Sequence, residues 1–144
     1  MFLGRYSHSI DEKGRLIIPS KFREEIGTES LVIYPGFSGQ LTVYTESAFR
    51  EFSADLKNLK SSDPQSMEIR RFIYTNSSEL KPDPQGRILL NQDLRESAGL
   101  VKEVVITGNF DSFEIWNPER WKEVSQFGDG RQMQKKIEAM GLKI

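Results

Sequence analysis

Short apolar runs and helical spacings alternate along the first third of the chain. Four strands are predicted there, at residues 2–10, 16–18, 31–35 and 40–45. Phe22 and Ile26 lie four positions apart after the second run, which predicts a short helix with Pro19 at its first position. This alternation of strands and short helices indicates an α+β fold that is mainly β.

Helical spacing dominates the middle and the end of the chain. A longer helix is predicted from the interval between its apolar residues, which are Phe49, Phe52, Leu56 and Leu59. The pair Asp63-Pro64 ends this segment and starts another short helix, because aspartate caps a helix and proline suits its first turn. A last helix carries one apolar stripe of Met133, Ile137 and Met140, which is expected to pack against this chain or a neighbouring one.

The pattern occurs twice. Residues 11–19, Asp-Glu-Lys-Gly-Arg-Leu-Ile-Ile-Pro, return 72 positions later as Asp-Pro-Gln-Gly-Arg-Ile-Leu-Leu-Asn at 83–91. The match extends without a gap through the following strands, aligning Val32 with Val104, Ile33 with Val105 and Gly36 with Gly108. The aromatic residues Tyr44, Phe49, Trp116 and Trp121 occupy matched positions and are predicted to be core. Each copy is therefore expected to fold as strand, turn, strand, short helix, strand, loop, strand, helix.

Four units follow from this repeat. They are a first copy at residues 1–52, a helical connector at 53–72, a second copy at 73–127 and a C-terminal helix at 128–144. Each half has about 70 residues, near the size at which a lone core is marginal, so we expect the halves to share one core. Sheets from two such halves commonly close into one barrel, because closure removes exposed strand edges.

Composition narrows the function classes. The chain has 20 basic and 21 acidic residues, no cysteine and a net charge of −1. No apolar run approaches the roughly 20 residues that span a bilayer, and the N-terminus lacks the apolar core of a signal peptide, so a cytoplasmic location is expected. Disulfides and thiolate metal sites are excluded. The balanced charge means that any contact with nucleic acid must come from local clusters of basic residues.

The two Asp-x-x-Gly-Arg turns are the main candidates for chemistry. Asp11 and Asp83 are predicted to hydrogen-bond the turn backbone, and Gly14 and Gly86 to adopt positive φ. The arginines that follow them are open to two interpretations. They could pair with the aspartates, although an exposed pair contributes only about 0–1 kcal/mol. They could instead bind a ligand, because guanidinium fits phosphate oxygens and the edge of guanine in a bidentate manner.

Catalysis is poorly supported. A pair of aspartates in a repeat suggests an aspartic protease, but the turns lack the Thr/Ser-Gly sequence that this chemistry needs. His8 is the only histidine, so no histidine-based triad or multi-histidine metal site can form. The glycine-containing loops at 36–39 and 108–112 lack the Gly-Lys-Ser/Thr ending of a phosphate-binding loop. We therefore predict no catalytic residues, no metal and no cofactor.

At this point the residues carry a resemblance. The opening at 1–23, the second motif at 83–90 and the segment 108–116 are similar to the MraZ family, over essentially the whole chain. This resemblance implies a double-split β-barrel built from two tandem AbrB-like copies with peripheral helices, assembled into a ring-shaped homo-oligomer such as an octamer. It also implies a nucleoid-associated regulator, usually a repressor, that binds tandem DNA repeats in the promoter of the division and cell-wall gene cluster.

The resemblance places the DNA-contacting arginines at Arg15 and Arg87. Basic residues near the motifs complete the candidate DNA-binding set, which adds Lys13, Lys21, Arg23 and Arg95. Three of the four lie in the first copy, so Arg15 is expected to matter more than Arg87. The alternative function is an antitoxin-like protein-interaction module, which predicts one copy followed by a disordered tail.

Overall fold

The computed structural model describes residues 1–144, with eight strands and six α-helices. The strands are β1 (Arg5–Ser9), β2 (Arg15–Ile17), β3 (Leu31–Pro35), β4 (Leu41–Thr45), β5 (Ser78–Leu80), β6 (Arg87–Leu89), β7 (Glu103–Gly108) and β8 (Ser112–Trp116). The helices are α1 (Ser20–Ile26), α2 (Glu46–Phe52), α3 (Pro64–Asn76), α4 (Gln92–Ser97), α5 (Pro118–Val124) and α6 (Gly130–Ala139). A 3₁₀ helix at Ala54–Asn58 follows α2. None of the helices combines the length and the apolar character that a membrane span requires.

The strands form two antiparallel sheets with an internal two-fold relationship. Six strands take the order β1-β7-β8-β4-β3-β5, and β2 pairs with β6 in a separate two-stranded sheet. Each copy's first strand pairs with the other copy: β1 with β7, and β5 with β3. The fold is therefore a mixed α/β structure in which neither copy completes its sheet alone.

One hydrophobic core links the two copies. Leu16 and Ile18 from the first copy, and Ile88 and Leu90 from the second, are fully buried in a cluster of 19 residues. Phe22 of α1 belongs to the same cluster and lies edge-on to Phe2, with ring centroids 5.2 Å apart. This burial explains why the apolar runs at 16–18 and 88–90 recur, since each supplies half of the layer between the sheets.

The aromatic residues predicted to be core form a separate layer outside this cluster. Tyr44 stacks on Phe52 of α2 at 4.8 Å between ring centroids, and Trp116 packs against Trp121 of α5 at 5.8 Å. Helices α2 and α5 thus carry aromatic side chains onto the central strands β4 and β8. The prediction that these aromatic residues pack inside the fold holds for Tyr44 and Trp116, which are buried.

The gap-free alignment of the copies is wrong at one strand. The residues of β3 that face the core are Leu31 and Ile33, and those of β7 are Val104 and Ile106. Their spacing is 73 rather than 72, so the second copy has one extra residue before β7. The loop that follows is one residue shorter, because Pro35 pairs with Leu41 but Gly108 pairs with Phe113. Side chains alternate along a strand, and the slip keeps apolar residues on the buried face.

Two helix boundaries also differ from the prediction. The longer helix ends at Phe52, and the chain continues as the 3₁₀ helix; between them the Ser53 hydroxyl donates to the Phe49 carbonyl. Helix α3 starts at Asp63-Pro64 as expected, with the Asp63 side chain accepting from the Gln65 N–H, but it extends to Asn76. The expected start of the second copy at 72–74 is therefore helical, and its first strand begins at Ser78.

Candidate nucleic-acid interface

The two turns have the same internal hydrogen bonds. Asp11 Oδ1 accepts from the N–H groups of Lys13 and Arg15, each at 2.9 Å, and its Oδ2 accepts from Arg15 Nε at 2.7 Å. In the second copy Asp83 Oδ1 accepts from the N–H of Gln85 at 3.0 Å and of Arg87 at 2.9 Å, and Oδ2 accepts from Arg87 Nε at 2.8 Å. Each aspartate therefore fixes both the backbone of its turn and the base of its arginine.

These hydrogen bonds change the acidity of both aspartates. The backbone N–H of Arg15 is the main cause that lowers the pKa of Asp11 below its usual value, and the N–H of Arg87 does the same for Asp83. The guanidinium groups lower both pKa values further. The carboxylates are thus ionised at neutral pH, and each turn keeps its arginine in one orientation.

Both glycines take the positive φ that the motif predicts. Gly14 has φ +82° and Gly86 has φ +77°, values that side chains with a Cβ rarely adopt. Each glycine also connects the copies, because the N–H of Leu90 donates to the Gly14 carbonyl and that of Ile18 to the Gly86 carbonyl. Each turn is therefore hydrogen-bonded to the residue that follows the small-sheet strand of the other copy.

Arg15 and Arg87 project from the same face of the two-stranded sheet. Leu16 lies opposite Ile88, and this fully buried pair marks the centre of the two-fold relationship. The arginines lie diagonally across this pair, Arg15 opposite Leu89 and Arg87 opposite Ile17, and their side chains are 32% and 24% exposed. Because only Nε is used in the pair with Asp11, the Nη groups of Arg15 have no hydrogen-bond partner within the chain. The aspartate pairing and the ligand-binding interpretation are thus compatible.

The helix arginines lie beside the turn of the opposite copy. Arg23 of the first copy packs over Gly86 and lines a concavity with Lys81 and Asp83. Arg95 of the second copy lies next to Gly14, and its Nε donates to the Leu90 carbonyl at 3.0 Å. The prediction that Arg23 adds to the basic surroundings of Arg15 stays a prediction; the fold places the Arg23 side chain over Gly86 of the second turn.

The remaining predicted basic residues are exposed. Lys13 is in the first turn, where its backbone is held by Asp11, and Lys21 is in the first turn of α1. Their counterparts in the second copy, Gln85 and Asp93, carry no positive charge. Gln85 instead accepts from Arg87 Nη2 at 3.1 Å, which gives the second arginine an extra support.

Sequence reasoning missed two residues on this face. Ile17 and Leu89 lie in short, fully apolar runs, but the structure leaves them 47% and 60% exposed. Period-two alternation could have found them, because Leu16 and Ile88 face the core and the next residue on each strand must face the other way. The outer face of the small sheet thus carries Arg15, Ile17, Arg87 and Leu89.

Comparison with known proteins shows the family of the chain. The family model of the MraZ protein, whose description calls it antitoxin-like, matches the chain twice, at residues 1–72 and 73–140. The chain is 42% identical over 124 residues to the "Transcriptional regulator MraZ" of Herpetosiphon aurantiacus, covering 86% of each protein. It is 44% identical over 123 residues to that of Moorella thermoacetica, covering 85% of each. The relative from Desulfosudis oleivorans is 37% identical over 99% of this chain and 100% of its own length.

These similarities and the repeated fold define the class of protein, a tandem-repeat protein with two matched Asp-x-x-Gly-Arg turns. The chain belongs to the MraZ family.

Proposed function

We propose that the chain is a DNA-binding transcriptional regulator whose contact surface is the outer face of the β2–β6 sheet with its two turns. The relatives are named transcriptional regulators, and the match extends over most of each protein. The role is binding rather than catalysis.

One observation carries this proposal. Arg15 and Arg87 project from one small sheet, each held at Nε by its own aspartate. The major groove of DNA admits a two-stranded β-ribbon, and arginine binds guanine O6 and N7 in a bidentate manner. An aspartate that holds the base of the side chain leaves the Nη groups directed outward and reduces the conformational freedom lost on binding. Phosphate contacts are assigned to Lys13, Lys21, Arg23 and Arg95, which lie around the arginine pair in the sequence or in the fold.

The net charge of −1 requires this local arrangement. Affinity for DNA comes largely from neutralised phosphates, so a chain with balanced charge must concentrate its cations at one surface or present many copies of it. We assign both features to the protein: the cations around the two turns, and a ring-shaped homo-oligomer, with an octamer as the working size. Linking several modest sites raises the apparent affinity through effective concentration without new contacts.

The finer architecture is part of the same proposal. We assign the two sheets to a double-split β-barrel, supported by the shared core and by the exchange of β1 and β5 between copies. Its units are the first copy at 1–52, the connector at 53–72, the second copy at 73–127 and the terminal helix at 128–144. The proposed target is a set of tandem DNA repeats upstream of the division and cell-wall gene cluster, and binding there represses the cluster. The proposed location is the cytoplasm, at the nucleoid.

The antitoxin-like alternative has less support from the chain itself. It predicts a single copy followed by a disordered tail that wraps a toxin. The chain has two copies, and the segment after the second contains a helix with a complete capping box at Asp129 and Gln132.

The test is a binding titration on DNA from upstream of the chain's own coding sequence, at several salt concentrations. Replacing Arg15 or Arg87 with alanine should cost about 1–3 kcal/mol of specific binding each, because a bidentate base contact is lost. Arg131→Ala is the matched control, since it removes an exposed arginine from α6, outside the small sheet. Wild-type affinity in the Arg15→Ala, Arg87→Ala double variant would show that the surface is misassigned.

A further inference from the structure

The two exposed apolar residues of the small sheet occupy equivalent positions in the repeat. Ile17 and Leu89 are 72 positions apart, and both point outward from strands whose central residues, Leu16 and Ile88, are fully buried. Ile17 is 47% exposed and Leu89 is 60% exposed. A scattered exposed apolar residue needs no explanation, but the same exposure at both copies, on the face that carries the arginines, indicates a function.

The register places each of these residues beside an arginine. Arg15 lies opposite Leu89, and Ile17 lies opposite Arg87. Because the next pair, Ile18 and Gly86, is hydrogen-bonded, the pair Ile17–Arg87 is of the non-hydrogen-bonded kind. Side chains of such pairs stand closest, with Cα atoms about 4.5 Å apart. The face thus consists of two arginine–apolar pairs related by the internal two-fold.

This combination matches the chemistry of the DNA major groove. Thymine alone presents a C5 methyl group there, and an apolar side chain recognises it by contact, whereas arginine recognises the guanine edge. Neighbouring strands lie about 4.8 Å apart, and the groove is about 12 Å wide, so both pairs can enter it together. Phosphate oxygens, by contrast, offer nothing to an exposed isoleucine or leucine.

We propose that Ile17 and Leu89 are specificity-determining residues that contact thymine methyl groups next to the bases bound by Arg87 and Arg15. The proposal rests on the proposed DNA-binding function and adds its base preference: a thymine adjacent to the guanine at each half of the site. The arginines then fix the position of each strand on the duplex, and the apolar residues reject a base pair that lacks a methyl group.

The experiment compares ordinary upstream DNA with the same fragment amplified with deoxyuridine in place of thymidine, which removes only the C5 methyl groups. Wild-type protein should bind the deoxyuridine duplex more weakly by about fourfold for each lost contact, the equivalent of about 0.8 kcal/mol per buried carbon group. Ile17→Ala, Leu89→Ala protein should bind ordinary DNA more weakly and should bind the two duplexes equally. Val101→Ala, which truncates an exposed residue outside β2 and β6, should discriminate like wild type.

The outcomes separate the two ideas. If wild-type protein and the Arg15→Ala, Arg87→Ala variant bind the upstream DNA equally, the proposed function fails. If wild type binds specifically but the Ile17→Ala, Leu89→Ala variant keeps the full preference for thymine, only the base-reading inference fails. Light scattering on the same variants tests whether the apolar residues instead join copies of the chain. A change in oligomer size without a change in thymine preference would show that these residues join copies of the chain, which also overturns the inference.

Discussion

A methyl group added at Gly86 would collide with the side chain of Arg23, which belongs to the other copy. The change Gly86→Ala therefore has two separable costs. The positive φ of +77° disfavours any residue with a Cβ, by about 1–2 kcal/mol. Displacing a packed neighbour costs about 1–3 kcal/mol more, with the lower end expected for a long, flexible side chain. We expect Gly86→Ala to lower the free energy of unfolding by about 2–3 kcal/mol in total.

Only the second cost depends on Arg23, so a double-mutant cycle isolates it. In an Arg23→Ala background the methyl group meets no guanidinium, and Gly86→Ala should then cost only the dihedral term. The coupling free energy between the two changes should be about 1 kcal/mol, within the range found for contacting residues. The corresponding difference in melting temperature is about 3 °C for a chain of this size.

Gly14 provides the matched control. It has nearly the same φ, but an added Cβ would lie 2.9 Å from the backbone carbonyl of Leu90 and only in ordinary contact with Arg95. Gly14→Ala should therefore be equally destabilising with and without Arg23. The measurement is urea unfolding of the four variants of the cycle and of the Gly14 pair. If Gly86→Ala costs the same in both backgrounds, or if Arg23 couples to Gly14 instead, the placement of Arg23 at the second turn is wrong.

Two further predictions concern stability. Asp11 and Asp83 have lowered pKa values in the folded state, so their contribution is fully present above the usual value of 3.8 and is lost as the pH falls through the lower folded pKa. Acid unfolding of an Asp11→Asn, Asp83→Asn variant should therefore show a flatter dependence on pH below about 4 than wild type, and parallel curves would contradict this. Leu16→Ala and Ile88→Ala should each cost about 2–5 kcal/mol in urea unfolding, since both side chains are fully buried, and a cost below that of Ile17→Ala would contradict the shared core.

Local features were predictable from the sequence because they depend on neighbouring residues. The aspartate-held turns, the positive φ of Gly14 and Gly86, and the helix start at Asp63-Pro64 all follow from local backbone chemistry. The apolar strands at 16–18 and 88–90 were predictable from their hydrophobic residues. The outward orientation of Ile17 was not, because a run of three apolar residues hides the alternation of buried and exposed positions. Hydrophobic pattern and turn chemistry therefore describe each copy well.

Relations between the copies were not predictable in the same way. Val104, Val105 and Ile106 are all apolar, so the pattern alone could not choose which of them face the core, and an identical valine favoured the wrong register. The exchange of β1 and β5 depends on pairing between distant residues, such as Arg5 with Thr107 and Leu31 with Leu80. No local propensity encodes such pairing, because it depends on how two incomplete sheets bury their edges together.

The exchange of strands between the copies changes the expected contributions of Arg15 and Arg87 to DNA binding. Counted along the sequence, the first copy holds most of the candidate DNA-binding residues, which favours Arg15. In the fold, Arg95 joins Lys13 and Arg15 at the first turn, while Arg23 and Lys81 join Arg87 at the second. Each turn therefore has three cations, despite the replacement of Lys13 by Gln85 in the second copy.

The equal number of cations at the two turns implies that Arg15→Ala and Arg87→Ala have comparable effects on DNA binding. Phosphate attraction depends on the cations that surround each contact, not on the copy of the sequence that supplies them. Arg15→Ala and Arg87→Ala should then weaken binding by similar factors and reduce its salt dependence similarly. A much larger effect at Arg15 would contradict this reasoning and would show that the number of basic residues near each motif in the sequence is the better guide to the surface.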